Sequence, residues 1–311
     1  MIRESLASVA VVVVNYGSSE LLEQNLLPLA RQSGARIVVV DNRTTADERS
    51  RVVALCAREG WAAVLPDGNT GFGGGMNLGV ARALADGADR FLLLNPDATI
   101  AVPDLETLLA RSIRDPLTLL APRILRPDGS VWFDGVDLYL DDGRIRSPRR
   151  RATLAPARWE PWLSGACLLV TERLWSAVGG FDESYFLYWE DVDLSHRVLA
   201  AGGALAVCAD ATAVHSEGGT QGGEHASAGE PKSATYYFYN IRNRMLFAAN
   251  NLDPGDVERW RRLIVAVAWE TLLQGGRRQF LRSPAPLLAG LRGVRAARAV
   301  AKGYTRAARP R

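Results

Sequence analysis

Cysteine is scarce. The 311 residues hold three (Cys56, Cys167 and Cys208), scattered and without a Cys-x-x-Cys pair. That excludes a disulfide scaffold and a zinc knuckle and suits a reducing compartment. Lysine is scarcer still, with Lys232 and Lys302 alone, so arginine carries almost all positive charge. Long apolar runs are missing as well. Val9–Val14 spans six residues and Leu263–Trp269 stops at Glu270, whereas a membrane span needs about 18 or more. Glu4 stands where an export signal would be basic, so no leader is expected. With 48% hydrophobic residues the chain is not disordered. At about 150 residues per domain its length predicts two units, or one large α/β domain with an appendage.

The net charge of +3 conceals an asymmetry. From Asp256 onward there are thirteen Lys and Arg against three acids, a net +10, which leaves −7 on residues 1–255. In this tail Trp260, Trp269, Phe280, Leu287, Leu288 and Leu291 are interleaved with arginines. Basic amphipathic helices with aromatic residues suit an anionic membrane surface. A solvated helical appendage has the same composition. Nucleic acid is disfavoured by the acidic body.

The first half alternates β-branched runs with helical stretches, the mark of βαβ units and a largely parallel sheet. Strands are expected at Val9–Val14, Ile37–Val40, Ala62–Leu65 and Phe91–Leu94. Helices are expected from Ser19 to Ala30, over Ala46–Glu59, and from the glycines at 71–75 to Ala85. Residues 122–161 read as short strands and Pro/Gly/Arg loops. Helical pattern returns at Thr171–Val178 and Val192–Ala201, followed by one strand at Ala204–Cys208 and another ending at Val214-His215. Residues 217–230 read as a mobile loop.

Ligands of an open parallel sheet bind beyond the carboxyl ends of its strands. Asn15-Tyr16, Asp41-Asn42 and Asn95-Pro96-Asp97 all fall there. Each alone could be a capping turn; three together suggest a lined cleft. The segment NTGFGGGMNLG (Asn69–Gly79) could bring backbone close to a ligand at a helix start, or be a plain glycine turn. Its spacing fails the dinucleotide fingerprint, which weakens an oxidoreductase reading. In GGFDESYFLYWEDVDLSHR (Gly179–Arg197), Glu190, Asp191 and Asp193 follow an aromatic stretch that could hold a carboxylate poised to take a proton. His215 could ligate a divalent cation with Asp97, or be an ordinary core or surface histidine.

In order, VVVVNY, VVVDN, NTGFGGGMN, LLLNPD, SGACLLV (Ser164–Val170), GGFDESYFLYWEDVDLSHR and Val214-His215 resemble the family 2 inverting glycosyltransferases, on their bacterial rhamnosyltransferase-like branch. The likeness runs from Val9 to about Phe247. It implies a GT-A fold: an α/β, Rossmann-like, mostly parallel central sheet flanked by helices, here with a basic C-terminal helical extension. It also implies a catalytic domain over 1–253, with a nucleotide-sugar half to about residue 100 and an acceptor half beyond, before an amphipathic extension at 254–311.

By the same resemblance Asn15, Tyr16, Asp41, Asn69, Gly71, Phe72, Gly73 and Asn77 would hold the nucleoside and diphosphate. Asn95 and Asp97 stand at the family's Asp-x-Asp. Asp97 and His215 would bind Mg²⁺ or Mn²⁺, and Asn95 removes one charge from that site. Asp191, beside Glu190, would be the catalytic base. Gly165, Ala166, Cys167, Trp189 and Glu190 would line the sugar and acceptor pocket, and Arg242-Asn243 would reach the diphosphate as the mobile loop closes. The implied donor is dTDP-L-rhamnose and the implied acceptor a lipid-linked or cell-surface saccharide, at the cytoplasmic face of the membrane. A UDP-sugar-dependent hexosyl or galactofuranosyl transferase is the alternative, and a catalytically silent sugar-nucleotide-binding scaffold a more distant one.

Overall fold

The structure, a computed structural model, describes residues 6–216 and 232–307. The expected loop at 217–230 lies outside the described residues. The described chain divides into two compact units. The first comprises 6–135, 162–186 and 190–216, and the second 136–161, 187–189 and 232–307.

The first unit is built on a nine-stranded sheet. One of its inner strands is β1 (Val9–Asn15), all seven residues of which are buried. A strand covered on both faces needs no polar alternation, which is why VAVVVVN reads as a continuous apolar run. Helix α1 (Ser19–Ser33) leads to β2 (Arg36–Asp41), α2 (Ala46–Glu59) to β3 (Ala62–Val64), and α3 (Gly71–Ala85) to β4 (Arg90–Leu94). Thr45 caps α2 by accepting from the Glu48 N–H, and Gly34 and Gly60 close α1 and α2 in the left-handed conformation. The strands lie in the order β3-β2-β1-β4 and are all parallel. The chain thus builds outward from β1 on one side and returns to its other side at β4. That reversal opens a crevice at the carboxyl ends of β1 and β4.

Beyond β4 the sheet is mixed. The remaining strands are β5 (Ala98–Ile100), β6 (Thr118–Leu125), β7 (Val131–Phe133), β11 (Cys167–Thr171) and β12 (Ala204–His215). Helix α4 (Val102–Arg114) joins β5 to β6. Strand β11 runs antiparallel to β4 and β6, β12 parallel to β6, and β5 antiparallel to β12. The two strands expected between Ala204 and His215 are one, with a shift in register between Cys208 and Thr212. This irregularity breaks the side-chain alternation and so the apolar pattern. Helices α5 (Glu172–Val178) and α6 (Glu190–Ala200) complete the unit, α6 starting two residues before the expected Val192.

The glycines of α3 permit its contact with the sheet. A Cβ on Gly79 would lie 2.3 Å from Val12 Cγ1 and 3.0 Å from Val40 Cγ2, and one on Gly75 would lie 2.8 Å from Val14 Cγ2. Gly79→Ala is therefore expected to destabilise the protein by about 1–3 kcal/mol, because stiff, fully packed valines cannot move aside. Alanine's better helix propensity offsets less than about 1 kcal/mol of this. Urea unfolding measures the difference; an unchanged midpoint would show that the helix shifts freely.

The second unit contains a three-stranded sheet ordered β10-β8-β9, from β8 (Val136–Tyr139), β9 (Arg144–Arg146) and β10 (Trp159–Trp162). Its helices are α7 (Ala234–Asn251), α8 (Pro254–Arg262), α9 (Ile264–Leu273), α10 (Gln279–Arg282) and α11 (Ala285–Ala307). Trp260 stacks on Phe247 and meets Trp189 edge-on. The buried Arg244 guanidinium donates to the carbonyls of Asp142, Gly143 and Trp260 and lies 4.6 Å from the Trp260 ring centroid, so the buried charge is fully engaged. Residues after 253 thus form helices of the same unit as α7. Among the described residues no helix is long and apolar enough to cross a membrane.

Candidate active site

The strand ends meet as the register requires. Asn15 pairs with Asp41 across β1 and β2, and its Nδ2 donates to Asp41 Oδ1 at 3.1 Å. Asp41 also accepts from Arg49 Nε at 2.8 Å, so a cation balances this fully buried carboxylate. Asn15 Oδ1 accepts from the N–H and hydroxyl of Ser18 at the start of α1. Tyr16, next along, is exposed.

At the far side of the crevice β12 ends beside β5, with His215 opposite Ala98. This brings His215 Nε2 within 3.0 Å of Asp97 Oδ1, both side chains being buried. His215 Nδ1 is buried without a hydrogen-bond partner among the described residues, and the Trp132 ring lies 4.6 Å from the imidazole. Asn95 is half-buried and its N–H donates to Ala166 O. No group of three or more His, Cys, Asp or Glu able to hold a metal occurs among the described residues. A carboxylate oxygen and an imidazole nitrogen are donor types that a divalent ion such as Mg²⁺ or Mn²⁺ accepts, so Asp97 and His215 are the residues that would hold one.

The acidic pair sits in the first turn of α6. Asp191 is half-buried, and both its oxygens are fixed by backbone: Oδ2 accepts from Gly165 N–H at 3.0 Å and Oδ1 from Val192 N–H at 2.8 Å. Burial pushes its carboxyl up to about 6, against the lowering effect of these two N–H groups. Glu190 is buried, and its Oε2 has no partner among the described residues. Burial and the neighbouring Asp191 charge push Glu190 well above the usual carboxylate range. Of the two, Glu190 is the one whose charged form burial and its neighbour disfavour most strongly. The third acid, Asp193, is a structural group that accepts from Tyr185 Oη and pairs with Arg197.

A carboxyl raised on folding stabilises the protein most when protonated, and that stability is lost as pH rises through the folded value. The melting temperature is thus expected to fall as pH rises from the ordinary carboxylate range through about 6, the folded value of Asp191, and to fall less steeply in Glu190→Gln, which removes the second raised carboxyl. Parallel curves for the two proteins would contradict the burial of Glu190.

Several expected ligand residues hold the fold instead. Asn69 Oδ1 accepts from Gly71 N–H, and Phe72 N–H donates to Phe186 O, so two N–H groups at the start of α3 are already used. Gly71 and Gly73 are packed against Phe186 and Phe181. Asn77 is spent on Phe181 backbone and Glu183. Cys167 is fully buried opposite Leu94, its thiol pushed up by burial, and lies in the core rather than in a pocket. Trp189 and Asn243 are core residues of the second unit. Asn243 is fully buried, donates to the carbonyls of Leu187 and Tyr188, and accepts from Arg242. These carbonyls belong to a turn in which Tyr188 and Trp189 take positive φ (65° and 76°), so Asn243 braces that turn. Gly165 and Ala166 do lie at the site, through Asp191 and Asn95.

One residue escaped the sequence reading of the site. Trp132 lies in an aperiodic stretch that gave no signal. Asn42 was legible as part of Asp41-Asn42, and it locks the α3 entrance by donating to Gly71 O and accepting from Thr70.

A doubly wound sheet with polar groups at its switch point, an acid pair and an Asp–His pair fit an α/β enzyme that binds its ligand beyond the strand ends. The sequence matches Glycosyl transferase family 2 over residues 8–168. It is 33% identical over 262 residues to the N-acetylglucosaminyl-diphospho-decaprenol L-rhamnosyltransferase of Mycobacterium tuberculosis, covering 75% of this chain and 84% of that one. It is 26% identical over 262 residues to the low-salt glycan biosynthesis hexosyltransferase Agl10 of Haloferax volcanii, covering 82% and 79%. The fold is similar to that of GalNAc-T7, solved with UDP, GalNAc and Mn²⁺, with a TM-score of 0.55 and 15% identity over 83% of this chain and 54% of that one. The chain belongs to glycosyl transferase family 2, on its rhamnosyltransferase-like branch. It is a glycosyltransferase with the GT-A fold.

Proposed function

We propose that this glycosyltransferase moves L-rhamnose from dTDP-L-rhamnose to a polyprenyl-diphosphate-linked saccharide or growing cell-surface polysaccharide, with inversion. The observation that carries the reading is Asp191: a carboxylate held by two backbone N–H groups, pushed up to about 6 by burial, beside Glu190, which burial and the Asp191 charge raise well above the usual carboxylate range. A general base works best with a pKa close to the working pH. Asp191 takes the proton of the acceptor hydroxyl as its oxygen bonds to the anomeric carbon. The bond from that carbon to the diphosphate oxygen breaks on the opposite face, and its electron pair leaves with the nucleotide.

Residues 1–100 take the nucleotide sugar, with Asn15, Tyr16 and Asp41 nearest the nucleoside, and residues 101–253 take the acceptor. Asp97 and His215 would hold a divalent cation, Mg²⁺ or Mn²⁺. Such an ion supplies Lewis-acid stabilisation of the leaving diphosphate when bound. Trp132 keeps the His215 ring in place for that role. The basic C-terminal helices keep the enzyme at the inner leaflet, where a lipid-linked acceptor sits.

The rhamnose donor is supported by the named activity of the mycobacterial relative. The hexosyltransferase from Haloferax favours a second reading, transfer of another hexose by the same site, for which UDP-sugars are the donors to test. A thermal-shift panel of nucleotide sugars, each with and without Mn²⁺, separates the two, since a ligand of the folded state raises the melting temperature. Metal-dependent stabilisation by dTDP-L-rhamnose supports the first reading. Preference for a UDP-sugar replaces the donor and keeps the mechanism, and no response to any donor would point to a silent scaffold.

A further inference from the structure

The last three helices present an unusual outward face. Sixteen large hydrophobic side chains are exposed among the described residues, and six of them fall within 265–291: Val265, Trp269, Leu281, Leu287, Leu288 and Leu291. Leu281 is 89% exposed and Leu288 57%. Exposed leucines are ordinary singly, but not as a cluster.

Helix α11 accounts for the arrangement. Its inward stripe is made of small residues, Ala289, Gly290, Gly293, Ala297 and Ala301, all buried. A Cβ on Gly290 would lie 2.8 Å from Leu272 Cδ1, and one on Gly293 would lie 3.0 Å from Ile241 Cβ. The side chains that a globular helix would bury therefore point outward. Leu287, Leu291, Arg295, Arg298 and Lys302, spaced by three or four residues, run down one exposed line that is apolar in its first turns and cationic after them. Leu281 of α10 and Trp269 of α9, whose ring stacks on Phe280 at 5.6 Å, add further exposed apolar side chains. Arg277, Arg278 and Arg282, also exposed, precede the line in sequence. From Thr271 to Arg311 there are ten Lys and Arg and no Asp or Glu.

We propose that this face docks on an anionic lipid bilayer, with Leu281, Leu287, Leu288 and Leu291 entering the acyl boundary and the arginines at the headgroups. This deepens the membrane reading given above, rests on it, and is independent of the transfer reaction. Charge complementarity selects the occupant. A second copy of the chain would set arginine against arginine with no acid to relieve it, and a nucleic acid would leave the leucines in water. A bilayer with anionic headgroups satisfies both halves of the line.

The full-length protein, without donor or acceptor, is sedimented with phosphatidylcholine vesicles containing either no phosphatidylglycerol or about one third of it. Binding is expected with the anionic vesicles and not with the neutral ones, and it should weaken as salt shortens the screening length. The triple variant L281S/L288S/L291S should bind at least about tenfold more weakly at low salt, because three apolar insertions are lost. All three side chains are exposed, so its melting temperature should match the wild type. Equal binding by the triple variant would overturn the insertion of this face. So would failure of the wild type to bind anionic vesicles, or a wild-type dimer that the triple variant dissociates. Because the readout needs no sugar nucleotide, each of these failures leaves the transfer reading to be judged separately.

Discussion

Replacing Asp191 by Asn is expected to lower kcat by about 10²–10⁴-fold, the usual contribution of a positioned general base, with donor affinity changed by no more than about twofold. The substitution removes the proton acceptor and almost no volume. It is not silent locally, because the native oxygens each accept a backbone N–H, from Gly165 and from Val192, and an amide offers one acceptor for the two. The unpaired N–H costs about 1–3 kcal/mol. Removal of a half-buried charge works the other way, so the melting temperature near neutral pH should move little. Calorimetry with the donor and a transfer assay separate the two effects. A variant that transfers at the wild-type rate would remove Asp191 from the role of base, whatever its fold.

Asp97→Ala is expected to reduce transfer by about two orders of magnitude or more, consistent with the loss of several kcal/mol of charge stabilisation on the diphosphate. The variant deletes the carboxylate proposed to hold the ion and leaves His215 Nε2 without its partner at 3.0 Å. Asp97→Asn makes the comparison cleaner, since it keeps the contact with His215 while removing the charge. Both variants should lose the Mn²⁺-dependent part of donor affinity and keep the metal-independent part. Titration calorimetry with and without Mn²⁺ reads this directly. An unchanged Mn²⁺ dependence in both would place the ion, or its absence, elsewhere.

The parallel half of the sheet was legible because burial on both faces writes itself as β-branched runs: Val9–Val14, Ile37–Val40 and Phe91–Leu94 all lie in strands. The strand-end polar groups were legible for a related reason, since the register that pairs Asn15 with Asp41 follows from two parallel strands of similar length. What escaped depends on partners far away in the chain. Glycine reads equally well as room for a ligand and as room for a neighbour, and only Val12 and Val14 decide in favour of the neighbour at Gly79 and Gly75. Asn243 resembles an exposed ligand residue until its carbonyl partners, more than fifty residues earlier, are known. Cys167 and Trp189 likewise belong to packing that no local pattern describes. Asp97 and His215 were legible as polar residues at the ends of expected strands, but the short β5 that sets Ala98 opposite His215 was not. The outward leucines of α11 were visible as composition, but their exposure follows from the glycine and alanine stripe that takes the inward side.

The central claim is that Asp191 deprotonates an acceptor hydroxyl attacking a nucleotide-activated sugar. Its most direct test is the pH profile of kcat for transfer from dTDP-L-rhamnose to a synthetic polyprenyl-diphospho-saccharide, with Mg²⁺ or Mn²⁺ present. The account predicts that kcat rises with pH through a single ionisation near 6. It also predicts that the remaining activity of Asp191→Asn lacks this step. A profile flat from about pH 5 to pH 8 in the wild type, or an ionisation that survives in Asp191→Asn, would contradict it.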